Sequence, residues 1–386
     1  MTSASPRSLC ERYNDECYET LRADATRTEA FCAAIAAQAK GKVCLDIGTG
    51  SLALLAIAAA EAGARRVYAL EANASAAELA RRSVVAAGYE DVITVLQGFS
   101  MDIGLAEGQP RVELLLHEII GEIAGAEGVV ASLADARARY CGESSAAEPV
   151  SSVPARARTL LAPAEWPSAE YFDALPIPLL AMPGTKVLLM PALPHELRLA
   201  PEQVFEDLRF DAPSASAALQ SRSLEFLVQR DGVLRGLCCW IEIFVADADA
   251  QLPEISSADN AGSSWSNVFL VLPQPTAVAR GARLVVRTRA ELGGVQPTYR
   301  FDCLLVRSGG APRATSEAGA PGLEPELDSK LELLATLRYP EVEQDATTPE
   351  KGSMPPPPPS EVDCMVEMWD MGLGPRHRAL EKVAVD

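Results

Sequence analysis

The chain has 386 residues, 48% apolar and 23% charged, with a formal net charge of -19. That length allows two packed domains and a tail, and the acidic balance disfavours nucleic acid as a direct partner while it attracts cationic partners or serves solubility. No apolar run of about 18 residues predicts a membrane-spanning helix, the first residues lack a signal-peptide stretch, and nine cysteines without a C-x-x-C spacing predict free thiols in a reducing compartment, cytoplasmic or nuclear, rather than a metal site.

In chain order, the alanine-rich residues 30–39 predict a helix. Residues 43–47 form a short apolar run of the kind found in buried parallel strands. A helix is expected over 52–62, a strand over 66–70, a helix over 75–87, and strands over 92–96 and 112–116. Strands alternating with helices predict an α/β fold with a parallel sheet covered on both faces, the Rossmann-like arrangement.

The pattern changes near Pro154. From about residue 185 strand signals dominate, and segments 224–230 and 233–245 flank Asp231-Gly232 as a β-hairpin would. Further strands are expected over 268–272, 283–288 and 299–306, so this half predicts an antiparallel β-barrel or sandwich. Residues 308–386 carry 15 acids, 7 bases and the proline run 355–359, a composition expected to be disordered apart from a short amphipathic helix over 331–337. The expected division is 1–155 Rossmann-like domain, 156–307 barrel domain and 308–386 tail.

Leu45-Asp46-Ile47-Gly48-Thr49-Gly50-Ser51 ends the first strand and opens a helix. Glycines there let the backbone turn tightly and approach a ligand. Glu71 ends the next strand, 21 residues after Gly50, where an acid accepts hydrogen bonds from ribose hydroxyls. The combination predicts a nucleoside ligand. A dinucleotide competes for this reading, although its fingerprint asks for a third glycine where this chain has Ala53. Alternatively, the glycines serve a tight turn alone.

Asp46-x-Gly48-x-Gly50 resembles the cofactor loop of S-adenosylmethionine-dependent methyltransferases, in which the acid lies beside the methionine end of the cofactor. Four more stretches narrow the resemblance to the protein arginine N-methyltransferase family. Tyr18-Glu19-Thr20-Leu21-Arg22-Ala23-Asp24-Ala25-Thr26-Arg27-Thr28 resembles its N-terminal motif, with spacing nearest that of the monomethylating branch. His117-Glu118 through Glu127-Gly128 resembles its double-glutamate loop, with the two acids nine residues apart. Residues 154–159, PARART, resemble the entry to its barrel, and 224–245 with 265–305 resemble the barrel itself. The likeness covers roughly 12–307. It implies S-adenosyl-L-methionine as cofactor, held by Arg27 at the carboxylate, Asp46, Gly48, Gly50, Glu71 and Ser100, with Asp102 near the adenine. It implies Glu118 and Glu127 as catalytic residues on a basic, arginine-rich protein substrate, with no metal.

Two carboxylates suit that chemistry. A guanidinium stays protonated to above about pH 12 and is a poor nucleophile. Paired carboxylates can bind it through charge-assisted hydrogen bonds and gather its positive charge to one side. The rest is in-line positioning and electrostatics. Glu122 is expected to be solvated, His117 to be a core residue rather than a base, and Trp265 to wall the acceptor pocket or fill the barrel core. Three departures stand out. Ser263-Ser264-Trp265 stands where the family has threonine-histidine-tryptophan, His117 stands where a small or hydroxyl residue usually precedes the first glutamate, and the short, proline-rich segment after Thr159 shows no clear dimerisation arm. The acceptor and a homodimer are therefore left open. The alternatives are a methyltransferase of this fold with a non-arginine acceptor, and a non-catalytic scaffold.

Overall fold

The computed structural model describes residues 24–105, 109–141, 150–168, 180–181, 187–210, 218–258, 263–307 and 330–339. The first half is built on a five-stranded, wholly parallel sheet in the order β3-β2-β1-β4-β5. Its strands are β1 (Val43–Ile47), β2 (Arg66–Glu71), β3 (Ile93–Gln97), β4 (Leu114–His117) and β5 (Ser151–Val153). Every residue of β1 and β4 is buried, as continuous apolar runs covered on both faces require.

Helix α1 (Ala25–Gln38) precedes the sheet, α2 (Leu54–Glu61) joins β1 to β2, α3 (Ala74–Ala87) joins β2 to β3, and α4 (Val129–Ala136) with one π turn lies between β4 and β5. Local chemistry sets their ends. The Asp24 carboxylate accepts from the Arg27 amide at 3.0 Å and caps α1. Asn73 caps α3 in the same way through the Ala76 amide, and Gly88 closes α3 in the left-handed conformation at φ 76°. Helix α2 starts behind Ala53, which sits at φ 49°. The strand order reverses between β1 and β4, and open α/β sheets bind ligands beyond the strand ends at such a switch point.

The second half is antiparallel. One sheet runs β7 (Leu180–Ala181), β8 (Val187–Met190), β13 (Asn267–Val278), β11 (Gly232–Phe244), β6 (Arg156–Ala164) and β9 (Gln203–Arg209), with β12 (Ile255–Ser256) on β11. The other runs β10 (Leu219–Leu227), β14 (Arg283–Glu291), β15 (Thr298–Arg307) and β16 (Lys330–Tyr339). Both sheets share a buried core with the parallel domain. No helix among the described residues is long and apolar enough to cross a membrane.

Two expectations are corrected. Segments around 224–230 and 233–245 are strands but do not form a hairpin. Strand β10 pairs with β14, whereas β11 pairs with β6 and β13. Neither Asp231 nor Gly232 has the positive φ that a two-residue hairpin turn needs, and the Gln229 amide bonds the Leu199 carbonyl instead. The tail expected at 308–386 is not structureless throughout, because 330–339 is strand β16, paired along β15. The expected helix at 331–337 is part of it. Ala335, Leu337 and Tyr339 are buried while Thr336 and Arg338 are exposed, which is strand periodicity rather than helical. The proline run 355–359 and the rest of 308–386 lie outside the described residues.

Candidate active site

The loop between β1 and α2 is wound by two glycines, Gly48 at φ 76° and Gly50 at φ 68°. A Cβ on Gly48 would also come within 2.9 Å of Ile119, in the loop after β4, so the two loops pack against each other. Backbone amides of Gly48 and Thr49 both donate to the Leu70 carbonyl, at 2.9 and 3.0 Å. The Gly50 amide donates to Glu71 Oε2 at 2.8 Å, and the Asn73 amide to Glu71 Oε1 at 2.8 Å. With these three loop amides held by the protein itself, the loop offers little to a pyrophosphate. That favours a nucleoside ligand over a dinucleotide.

Asp46 is fully buried at the end of β1 and accepts from the Thr49 hydroxyl at 2.6 Å. Burial pushes its carboxyl up to about 7, against the opposing pull of the Thr49 hydrogen bond and with help from the Glu71 charge. Burial also raises the Glu71 carboxyl, while the amides of Asn73 and Gly50 hold it down. A cationic group delivered between these acids would stabilise both as carboxylates. Gly48, Gly50, Asp46 and Glu71 thus come together at the switch point, with side chains and backbone suited to hold a nucleoside that carries a positive charge. Ser100 lies in the turn after β3, where its carbonyl accepts from Arg139 at 2.5 Å.

Glu118 follows β4 directly. Its Oε2 accepts from Arg27 Nη2 at 2.5 Å, and the two side chains are only 12% and 7% exposed. Burial raises the Glu118 carboxyl and Arg27 draws it back down. The residues expected at the two reacting ends, one for the cofactor carboxylate and one for the acceptor, are therefore neighbours. Trp265 stacks over Arg27, with its ring 5.7 Å from the guanidinium carbon, and its indole N–H donates to the Ile120 carbonyl at 2.8 Å. It is a buried core side chain and a wall of this site at once.

The rest of the loop is uneven in exposure. Glu127 is exposed, and Glu122 is half-buried rather than solvated, with burial raising its carboxyl. His117 is fully buried, edge-on to Phe210 at 4.7 Å, and burial lowers its imidazole to about 3, so it is a neutral core residue. Among the described residues no group of His, Cys, Asp and Glu could hold a metal.

Five contributors escape a linear reading. Asp24 is more than a cap, because its Oδ2 accepts from the Ser264 amide at 2.9 Å and the Ser264 hydroxyl at 3.1 Å. The serine standing where the family has histidine thereby ties the start of α1 to the antiparallel half. Glu206, Thr159 and Tyr299 form a buried cluster behind the double-glutamate loop. In β9 the register skips Phe205, pairing Glu206 with Thr159 and Val204 with Leu160. Such a bulge re-aims a side chain inward, and alternation in the sequence does not reveal which residue bulges.

Comparison with known proteins agrees with this geometry. The family model for ribosomal protein L11 methyltransferase matches residues 27–123. An arginine N(omega)-methyltransferase of Streptomyces achromogenes subsp. streptozoticus is 30% identical over 258 residues, spanning 64% of this chain and 68% of that protein. Among solved structures, Arabidopsis thaliana protein arginine methyltransferase 10, described in a uniquely open conformation, superposes with TM-score 0.64 at 20% identity, covering 86% of this chain and 99% of that one. The Trypanosoma brucei PRMT1 enzyme-prozyme heterotetrameric complex with AdoHcy gives TM-score 0.59 at 18% identity, covering 84% and 98%. Parallel sheet, antiparallel sheets, cofactor loop and a relative matched over about two thirds of its length converge: the chain belongs to the protein arginine methyltransferase family and is an S-adenosylmethionine-dependent methyltransferase.

Proposed function

We propose that the chain methylates a guanidinium nitrogen of arginine, with Glu118 and Glu127 holding the acceptor and with Arg27, Asp46, Gly48, Gly50, Glu71 and Ser100 around the cofactor. One observation carries the reading: Glu118 already binds a guanidinium, that of Arg27, at 2.5 Å in a buried setting. A carboxylate so placed suits a second guanidinium once Arg27 turns to the cofactor's carboxylate. The cofactor supplies an electrophilic methyl group on a sulfonium. Glu71 and Asp46 orient it, Glu118 grips the inner side of the acceptor, and the exposed Glu127 meets it from the outer side. As the nitrogen gains the methyl it must lose one proton, and a carboxyl raised by burial, as Glu118 is, is suited to receive it.

A basic, arginine-rich protein is the acceptor class favoured by the net charge of -19. The Streptomyces relative supports a second reading, since its name specifies arginine without specifying a protein, and it is matched well beyond the cofactor domain. The experiment is methylation with isotope-labelled S-adenosylmethionine of three acceptors, namely an arginine-rich peptide, its lysine counterpart and free arginine, read by mass spectrometry. Label on the peptide's arginines supports the first reading and label on free arginine alone the second. Label on the lysine peptide only, or on none of the three, contradicts both.

A further inference from the structure

The double-glutamate loop has no regular structure between His117 and α4, yet it must hold two acids in register with a methyl donor. Its central segment is fastened from behind. The Gly125 amide donates to Glu206 Oε2 at 3.2 Å. The Ala124 amide donates to the Thr159 hydroxyl at 2.9 Å, and that hydroxyl donates in turn to Glu206 Oε2 at 2.6 Å. Glu206 Oε1 accepts from the Tyr299 hydroxyl at 2.8 Å. Glu206 and Thr159 are both 0% exposed. The fit leaves no slack, because a Cβ on Gly125 would stand 2.6 Å from Glu206 Oε1 and 2.8 Å from the Tyr299 hydroxyl.

A carboxylate sunk this deep is costly unless its hydrogen bonds are complete. Burial raises the Glu206 carboxyl, and the donors Thr159, Tyr299 and Gly125 pull it back. Among the described residues no arginine or lysine forms an ion pair with it, and an apolar side chain would fill the same space at lower cost. What an apolar side chain could not do is take up two consecutive loop amides, one directly and one through Thr159. Those amides lie between Glu118 and Glu127, three and two residues before the latter.

We propose that Glu206, acting with Thr159, is a positioning residue for the acceptor loop, fixing the backbone at Ala124 and Gly125 so that Glu118 and Glu127 are held in register. The turnover consequence rests on those glutamates being acceptor ligands; the backbone consequence does not.

The test uses the full chain and two readouts. Hydrogen exchange of the 118–128 backbone needs no acceptor, and single-turnover methylation of the best acceptor needs one. In Glu206→Leu, exchange at Ala124 and Gly125 should rise about tenfold or more, exchange at 46–51 should stay as in the wild type, and turnover should fall about tenfold or more, with S-adenosylhomocysteine affinity within about twofold. Glu206→Gln should recover most of both readouts. Its amide oxygen can take Thr159 and Gly125 while its NH2 donates to Tyr299. If Glu206→Leu does not fold, Thr159→Val and Thr159→Ser ask the same question, the first loosening the loop and the second keeping it. Wild-type exchange in Glu206→Leu or in Thr159→Val overturns the proposal, as does a Glu206→Gln variant no better than Glu206→Leu. A loosened loop with unchanged turnover would leave the backbone role standing and overturn the register role of the two glutamates.

Discussion

Asp46 is the residue at which burial and function pull hardest against each other. Its ordinary value is near 4, and the fold lifts it to about 7. Below about pH 4 it is protonated folded or unfolded, and it contributes nothing to pH dependence. Between about pH 4 and about 7 the unfolded chain ionises while the fold keeps its proton, so the ligand-free protein loses stability as pH rises through that window. Asp46→Asn should flatten this slope in thermal melts. The positive charge of the cofactor should drive the proton off, so S-adenosylmethionine affinity should rise with pH up to about 7, with proton release seen by calorimetry in buffers of different ionisation enthalpy. A binding enthalpy independent of buffer would contradict it. Glu71→Ala removes the acceptor for the Gly50 and Asn73 amides as well as the proposed ribose contact, and should weaken S-adenosylhomocysteine by about 1–3 kcal/mol. These residues were legible in the sequence because strand-end acids and glycines sit at fixed offsets. Glu206 was not, because a bulge decides its direction. Nor was the left-handed Ala53, a position where the dinucleotide fingerprint would put glycine and this chain bears the strain.

At the scale of elements, four strands of the parallel sheet could be read from their apolar runs, with β1, β2 and β4 buried almost throughout, whereas the three-residue β5 is too short to leave such a run. Partner choice in the antiparallel half could not be read. Asp231-Gly232 looks like a hairpin turn, yet β10 and β11 lie in different sheets, and the Val228 and Gln229 amides between them donate to the Ala282 and Leu199 carbonyls instead of closing a turn. The final strand was hidden in a low-complexity composition, and its pairing with β15 depends on residues more than twenty positions upstream. Truncation after Arg307, harmless for a structureless tail, should therefore be damaging. It removes the buried Ala335, Leu337 and Tyr339 and bares the edge of β15. The melting temperature should fall by about 5 °C or more. Truncation after Tyr339 spares β16 and is the matching control. An unchanged melting temperature after the first cut would show that β16 contributes little.

At the scale of the whole molecule, the site is a seam. Its cofactor loop and glutamates come from the parallel half, and Ser264, Trp265, Thr159, Glu206 and Tyr299 reach it from the antiparallel half. Sequence motifs showed the first half of that seam and only hinted at the second, because contacts between distant segments leave no local pattern. The surface field acts at this scale too. With a net charge of -19, kcat/KM for an arginine-rich peptide should fall roughly tenfold or more between low and near-molar salt, and that for free arginine much less. Equal salt dependence would contradict steering by the whole surface. Most directly, the acceptor clamp is tested by single-turnover methylation with Glu118→Gln and Glu127→Gln, each alongside a cofactor titration. If the pair holds a guanidinium, each variant loses roughly 100-fold or more in turnover, the double variant loses far less than the product, and S-adenosylhomocysteine affinity stays within a few fold. Near wild-type turnover in both single variants would contradict the clamp and with it the arginine acceptor.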